Sequence, residues 1–216
     1  MLGALQLAFI DSVNLLLIGV IVAVGIAARS NYAKTTALLI AGDWCGVAGL
    51  ALIMLVIFDG LGPVVQRFVE GPVFGILLIA TGILTAILAL RGGDNQALVQ
   101  KIMRPLHTPG PATVATGVVL GLIQSATSFA FYGGLALLSA AGLDAQVRYA
   151  AIPLYATVAL SLPTLAALAV GWVRAKPRSA AARGFDWARA HPDQVTAAAT
   201  WSVAVLLIVL GVTHMV

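Results

Sequence analysis

Phe9-Ile10-Asp11-Ser12-Val13-Asn14-Leu15 sets a carboxylate, a hydroxyl and an amide inside an apolar run that covers residues 4–28. A charge at the centre of a bilayer helix costs roughly 2.5–3.5 kcal/mol on insertion scales, and acids retained there usually face a wet path or a partner. Ala41-Gly42-Asp43-Trp44 repeats the anomaly in the next run. Around these acids the chain is strongly apolar: 61% of its 216 residues are hydrophobic and 9% are charged, with a mean hydropathy of +1.02. A soluble domain carries about 25% charged residues, so the composition points to an integral membrane protein. The apolar runs are unbroken rather than alternating, which selects helices over a barrel.

Six runs, at 4–28, 36–58, 73–91, 114–141, 149–173 and 195–215, approach or exceed the ~20 residues that cross a bilayer. The expected fold is an all-α polytopic membrane protein of six transmembrane helices. No basic segment precedes the first run, and Asp11 interrupts it, so no cleavable signal is expected. The lone Cys45 has no intrachain partner and supplies no redox pair. The net charge of +4 is distributed by loop. Arg29, Lys34, Arg91, Lys101, Arg104, Arg174, Lys176, Arg178, Arg183 and Arg189 follow the first, third and fifth runs, leaving Arg67 and Arg148 for the other two loops. The positive-inside rule then makes the odd loops cytoplasmic and both termini extracytoplasmic. The basic surplus meets membrane lipids, not nucleic acid.

Residues 1–91 and 114–216 form two three-helix halves joined by a cytoplasmic linker, 92–113, with an interfacial helix expected around Leu98–Leu106. At an offset of 113, Ile10-Asp11-Ser12-Val13-Asn14 falls on Ile123-Gln124-Ser125-Ala126-Thr127. Three helices per half is an odd number, so the second half runs in the opposite sense, the plan of inverted repeats with a site near the midplane. Asp11 is the leading candidate for a proton-titrating or substrate-contacting acid, with Asp43 second. Asn14, Gln124, Ser125, Thr127 and Ser128 form a polar seam; Asp11 and Asn14 are expected on one helical face, as are Gln124, Thr127 and Ser128. Membrane hydroxyls and amides also serve simply as glue between helices, and Asp43 beside Gly42-x-x-x-Gly46 has that reading too. Tyr132 and Tyr155 are candidate passage residues, and Pro153 and Pro163 candidate breaks for gating. Lys101, Arg104, Arg174 and Arg178 are candidate headgroup ligands, and the loop 174–193 is a basic cytoplasmic segment anchored by Trp187. His107, His191 and His214 lie apart, so no metal site is expected, and no cofactor motif is present.

Asp186-Trp187-Ala188-Arg189-Ala190-His191-Pro192-Asp193-Gln194-Val195, with Phe9-Ile10-Asp11-Ser12-Val13-Asn14, resembles the GAP/Sap (glycolipid-addressing protein) family of the LysE-type exporter superfamily. The resemblance covers the chain loosely and is sharp only in the Asp-Trp-Ala-Arg-Ala-His string. It implies a small six-helix transporter that moves a lipid or glycolipid toward the cell surface, with a homodimer as its assembly. The chain is accordingly expected to be a proton-linked or facilitative exporter or flippase of the cytoplasmic membrane, and not an enzyme, since no nucleophile, metal set or cofactor motif is present. That family often has proline directly after the first acid, whereas Ser12 stands here, which leaves a helix break at that point open. Two other readings remain: export of a small solute such as an amino acid or cation, and an accessory subunit of a cell-envelope export complex.

Overall fold

The computed structural model describes residues 2–27, 31–91, 106 and 108–176, and fourteen positions between 179 and 212. Among these every regular element is helical: α1 (Leu2–Asp11), α2 (Leu15–Ala27), α3 (Tyr32–Leu61), α4 (Pro63–Glu70), α5 (Pro72–Arg91), α6 (Pro111–Ala126), α7 (Phe129–Ser139), α8 (Ala145–Ala150), α9 (Ile152–Ala159) and α10 (Ser161–Ala175). Among the described residues, only α3 is long and apolar enough to cross a bilayer alone. Three bent pairs pass the same test jointly: α1 with α2 at 48°, α6 with α7 at 76°, and α8–α9 with α10 at 42°, so the described residues hold up to four spans. The linker 92–105 and most of the segment after Lys176 lie outside the described residues, with the expected interfacial helix, Lys101, Arg104 and Arg178.

The breaks have local causes. No proline follows Asp11, yet α1 stops there: the Ser12 hydroxyl donates to the Phe9 carbonyl at 2.5 Å, and the backbone turns through Val13 N–H on Ile10 C=O at 3.1 Å. Serine competes for backbone acceptors in this way and ends the helix that a proline would otherwise interrupt. Asp11 and Asn14 therefore do not share a continuous helical face; the first ends α1 and the second precedes α2. Pro153 and Pro163 each lie in the first turn of a helix, α9 and α10. A proline ring clashes with the carbonyl four residues back, which for Pro163 is Ala159, the last residue of α9. The kink thus precedes the proline and falls at Leu160.

Packing is tightest where α3 meets α6. A Cβ on Gly42 would come within 2.2 Å of the Val114 carbonyl oxygen, and one on Gly46 within 2.5 Å of that of Val118; Gly117 and Gly121 face Leu39 and Asp43 equally closely. Backbones approach this far only where both sides lack side chains, the small-residue packing of membrane helices. A cluster from α1, α3, α7 and α9, with Tyr149 of α8 packed against it, includes Ala8, Leu55, Phe131, Leu135, Ile152 and Tyr155. Leu17, Ile21, Val24, Leu39, Leu120 and Val170 make a second, nearer the start of α3.

Candidate functional site

Two of the broken spans meet at their breaks. Asn14 caps α2, its Oδ1 accepting the Leu17 N–H at 3.0 Å, and Ser128 caps α7, its hydroxyl accepting the Phe131 N–H at 3.2 Å. Each cap serves the third residue of the helix it starts, a favoured position for Asn and Ser side chains. Each also reaches the end of the other span's first helix. The Ser128 hydroxyl donates to the Asp11 carboxylate, and the Asn14 amide donates to the Gln124 carbonyl oxygen. The exchange is reciprocal.

These bonds fix one another's direction. The Leu17 N–H demands the oxygen of Asn14, which turns its NH2 toward Gln124; Gln124 must answer with its own oxygen. Its Nε2 then points to Asp43, donating to the two carboxylate oxygens at 3.0 and 2.9 Å. An ionised carboxylate only accepts, so the chain of amides ends in the one kind of group that suits it. Asp43 is fully buried, and the reason it reaches Gln124 is the glycine contact, since Gly121 and Gln124 share a face of α6 one turn apart.

Beside this network is a cavity of 410 Å³, lined among others by Asp11, Asn14, Gln124, Thr127, Ser128 and Thr81. Its size is within the range of small-ligand sites, and its described lining holds one carboxylate and no Lys, Arg or His. Asp43 is not in the wall; it stands behind Gln124. Ser125 is also behind the wall, buried, with no hydrogen-bond partner among the described residues. The Thr127 hydroxyl is turned onto the carbonyls of Ile123 and Gln124, because α6 ends at Ala126 and Thr127 closes its last turn. Tyr155 is a core residue, its hydroxyl on the Phe131 carbonyl at 3.2 Å. Tyr132 is half-buried and donates to the Ala126 carbonyl at 3.1 Å. Neither tyrosine lines the cavity. No group of three or more His, Cys, Asp or Glu able to hold a metal occurs among the described residues.

Two further clusters were not legible in the sequence. Near the end of α3, Asp59 pairs with Arg148 at 2.9 Å and accepts the Ser139 hydroxyl at 2.7 Å, while Arg148 also donates to the Ser139 carbonyl at 3.3 Å. Near the start of α3, Arg174 donates to the Gly25 carbonyl and lies 5.0 Å over the ring of Tyr32, whose hydroxyl donates to Ala167 C=O at 3.0 Å. Each ties the end of a broken span to α3 and to the span containing α8–α10. The only sequence signal was an isolated acid and base, Asp59 and Arg148, at the ends of apolar runs. Arg174 is thus engaged with protein groups. Trp187 is exposed, and its ring stacks on His191 at 4.9 Å.

Comparisons of the chain with protein-family models, with curated proteins and with solved structures find no match.

Proposed function

We propose that this chain is a membrane transporter of six spans in two inverted three-helix repeats, exporting or flipping a lipid or glycolipid across the cytoplasmic membrane. The observation that carries the reading is the reciprocal bonding at the two breaks. Asp11 ends one first helix and Gln124 stands in the last turn of the other, Asn14 and Ser128 cap the second helices, and each pair bonds across to the other. Corresponding partners differ by 113 to 116 in number, a spacing that extends to the two outlying clusters, where Gly25 corresponds to Ser139, Tyr32 to Arg148 and Asp59 to Arg174. Such repetition favours an alternating-access device: a polar midplane site between discontinuous helices, with one tie at each end of the halves. The resemblance to the GAP/Sap family adds the lipid cargo.

In this reading Asp11 meets the proton or the polar part of the cargo in the cavity, and the Asp43–Gln124–Asn14 chain holds the opposite wall in register. A second reading, export of a small cationic or neutral solute, is favoured by the cavity's own chemistry, since its described lining carries an acid and no base. Lipid and metabolite profiling of a deletion strain, complemented with wild type or Asp11→Asn, tests both. Loss of a surface lipid that wild type restores and Asp11→Asn does not is the expected result. An unchanged lipid profile with altered solute resistance favours the second reading, and full complementation by Asp11→Asn removes the acid from the mechanism.

A further inference from the structure

The helices that pack closely along the second half of α3 leave a groove beside its first half, bridged at its start by the Tyr32 hydroxyl on the Ala167 carbonyl at 3.0 Å. Along its second half, Ala51 and Leu55 are buried against Ile152 and Tyr155. Along its first half, α3 and α10 border a groove of 760 Å³, with Tyr32, Ile40 and Cys45 on one wall and Ala167, Leu168 and Trp172 on the other. The groove's two threonines offer it little: the Thr36 hydroxyl donates to the Tyr32 carbonyl at 2.9 Å and the Thr164 hydroxyl to that of Leu160 at 2.8 Å. What remains is a hydrocarbon surface. From Tyr32 to Cys45 it runs ~20 Å at 1.5 Å per residue, comparable with the depth of one leaflet, half of a ~30 Å hydrocarbon core. At the Tyr32 end of the groove Lys34 stands in the first turn of α3 and Lys176 directly follows α10, both exposed, and no acid occurs in the first turn of α3 or the last turn of α10. Arg174 and Trp172 lie at the same end.

We infer that this groove is a lateral lipid site, in which an acyl chain of an anionic lipid from the adjacent leaflet lies between α3 and α10 with its headgroup at Lys34 and Lys176. Three features agree on that occupant: an apolar trough, a length of one leaflet, and cations only at the headgroup end. A soluble ligand has no use for the first and a second protein helix none for the third. The inference rests on the membrane-spanning part of the reading above and is independent of what is exported.

The test uses the purified full chain in phosphatidylcholine vesicles doped with phosphatidylglycerol that carries a photoreactive diazirine on its acyl chain, with adducts mapped by peptide. Adducts concentrated on 32–45 and 164–172, and scarce on the exposed α5 residues Ile76 and Leu77, are expected. Ala37→Phe with Ala41→Phe fills the trough and should remove the groove adducts while sparing those elsewhere. Lys34→Gln with Lys176→Gln should lower the preference for phosphatidylglycerol over a phosphatidylcholine probe by about tenfold, given two cations at an anionic headgroup. Adducts spread evenly over all lipid-facing helices, or unaffected by the filling pair, overturn the site. So does a Cys45–Cys45 disulfide between copies formed in the membrane, which would put a second chain in the groove. These outcomes do not depend on transport, so a failed export assay and a failed lipid site are told apart.

Discussion

Asn14 does two things at once, and they separate by substitution. Its oxygen caps α2 and its NH2 orients Gln124. Asn14→Ala loses both and is expected to cost ~1 kcal/mol of stability through the cap alone, read as a lower midpoint of thermal unfolding in detergent. Asn14→Ser keeps a capping oxygen but is too short to hold Gln124, so stability should stay near wild type while export falls. Equal loss in both variants would mean that the cap is the whole of the residue's role. Gln124→Leu removes the donor from the buried Asp43 carboxylate, and an unsatisfied buried acceptor costs ~1–3 kcal/mol. Restoration of that stability by the double change with Asp43→Leu is expected, because removing both partners leaves no orphan. The sequence did single out these residues, since acids and amides within apolar runs stand out by type. It did not show that Asp11 lines the cavity while Asp43 stands behind it, because that depends on which helix passes which.

At the scale of elements, the α3–α6 contact discriminates between glycines that look alike in sequence. Gly42 and Gly117 lie within reach of opposing backbone atoms, whereas a Cβ at Gly49 meets nothing within 4 Å. Gly42→Ala or Gly117→Ala should destabilise by ~1–3 kcal/mol through overpacking against backbone. Gly49→Ala should be neutral or stabilising by up to ~1 kcal/mol from helix propensity. Thermal unfolding of the three variants checks the order, and a destabilised Gly49→Ala would refute it. Gly42-x-x-x-Gly46 was readable as a packing face, but its partner was not, since glycines at Gly117 and Gly121 become a mate only when the second half folds against the first. Pro163→Ala restores an N–H in line with the Ala159 carbonyl and should straighten the bend at Leu160. The expected result is unchanged or higher stability with slower export, and export at the wild-type rate would show that the bend is not used.

At the scale of the whole molecule, the proposed two-repeat plan makes the clusters at the ends of α3 ties between the halves. Arg148→Met leaves Asp59 without its cation, with Ser139 still donating to it. The tie between α3, α7 and α8 is then weakened where neither side chain touches the cavity. The expected signature is faster alkylation of a cysteine introduced at Thr127, as the halves part more often at that end, with export altered in rate rather than in substrate affinity. Alkylation at the wild-type rate would make the pair a structural staple only. Arg174→Gln should loosen the opposite end, and the two changes together should not add, because a device that opens one end at a time is bistable.

Composition alone marked this chain as helical, with apolar runs suited to spanning a membrane, because hydrocarbon leaves backbone amides no partner outside their own helix. Residue type alone marked Asp11, Asp43 and the polar seam, because a charge or amide in an apolar run is costly wherever the chain folds. The breaks were only half visible: Pro163 announced one, while Ser12 and Ser128 end or begin helices through side-chain bonds that many serines never make. Tertiary structure decided the rest, namely the bonds that the two capping residues make across to the other broken span, the orientation of Gln124, and the groove between α3 and α10. Each of those depends on distances between residues about a hundred positions apart, and such distances follow from how glycine faces, caps and kinks fit together rather than from any local pattern.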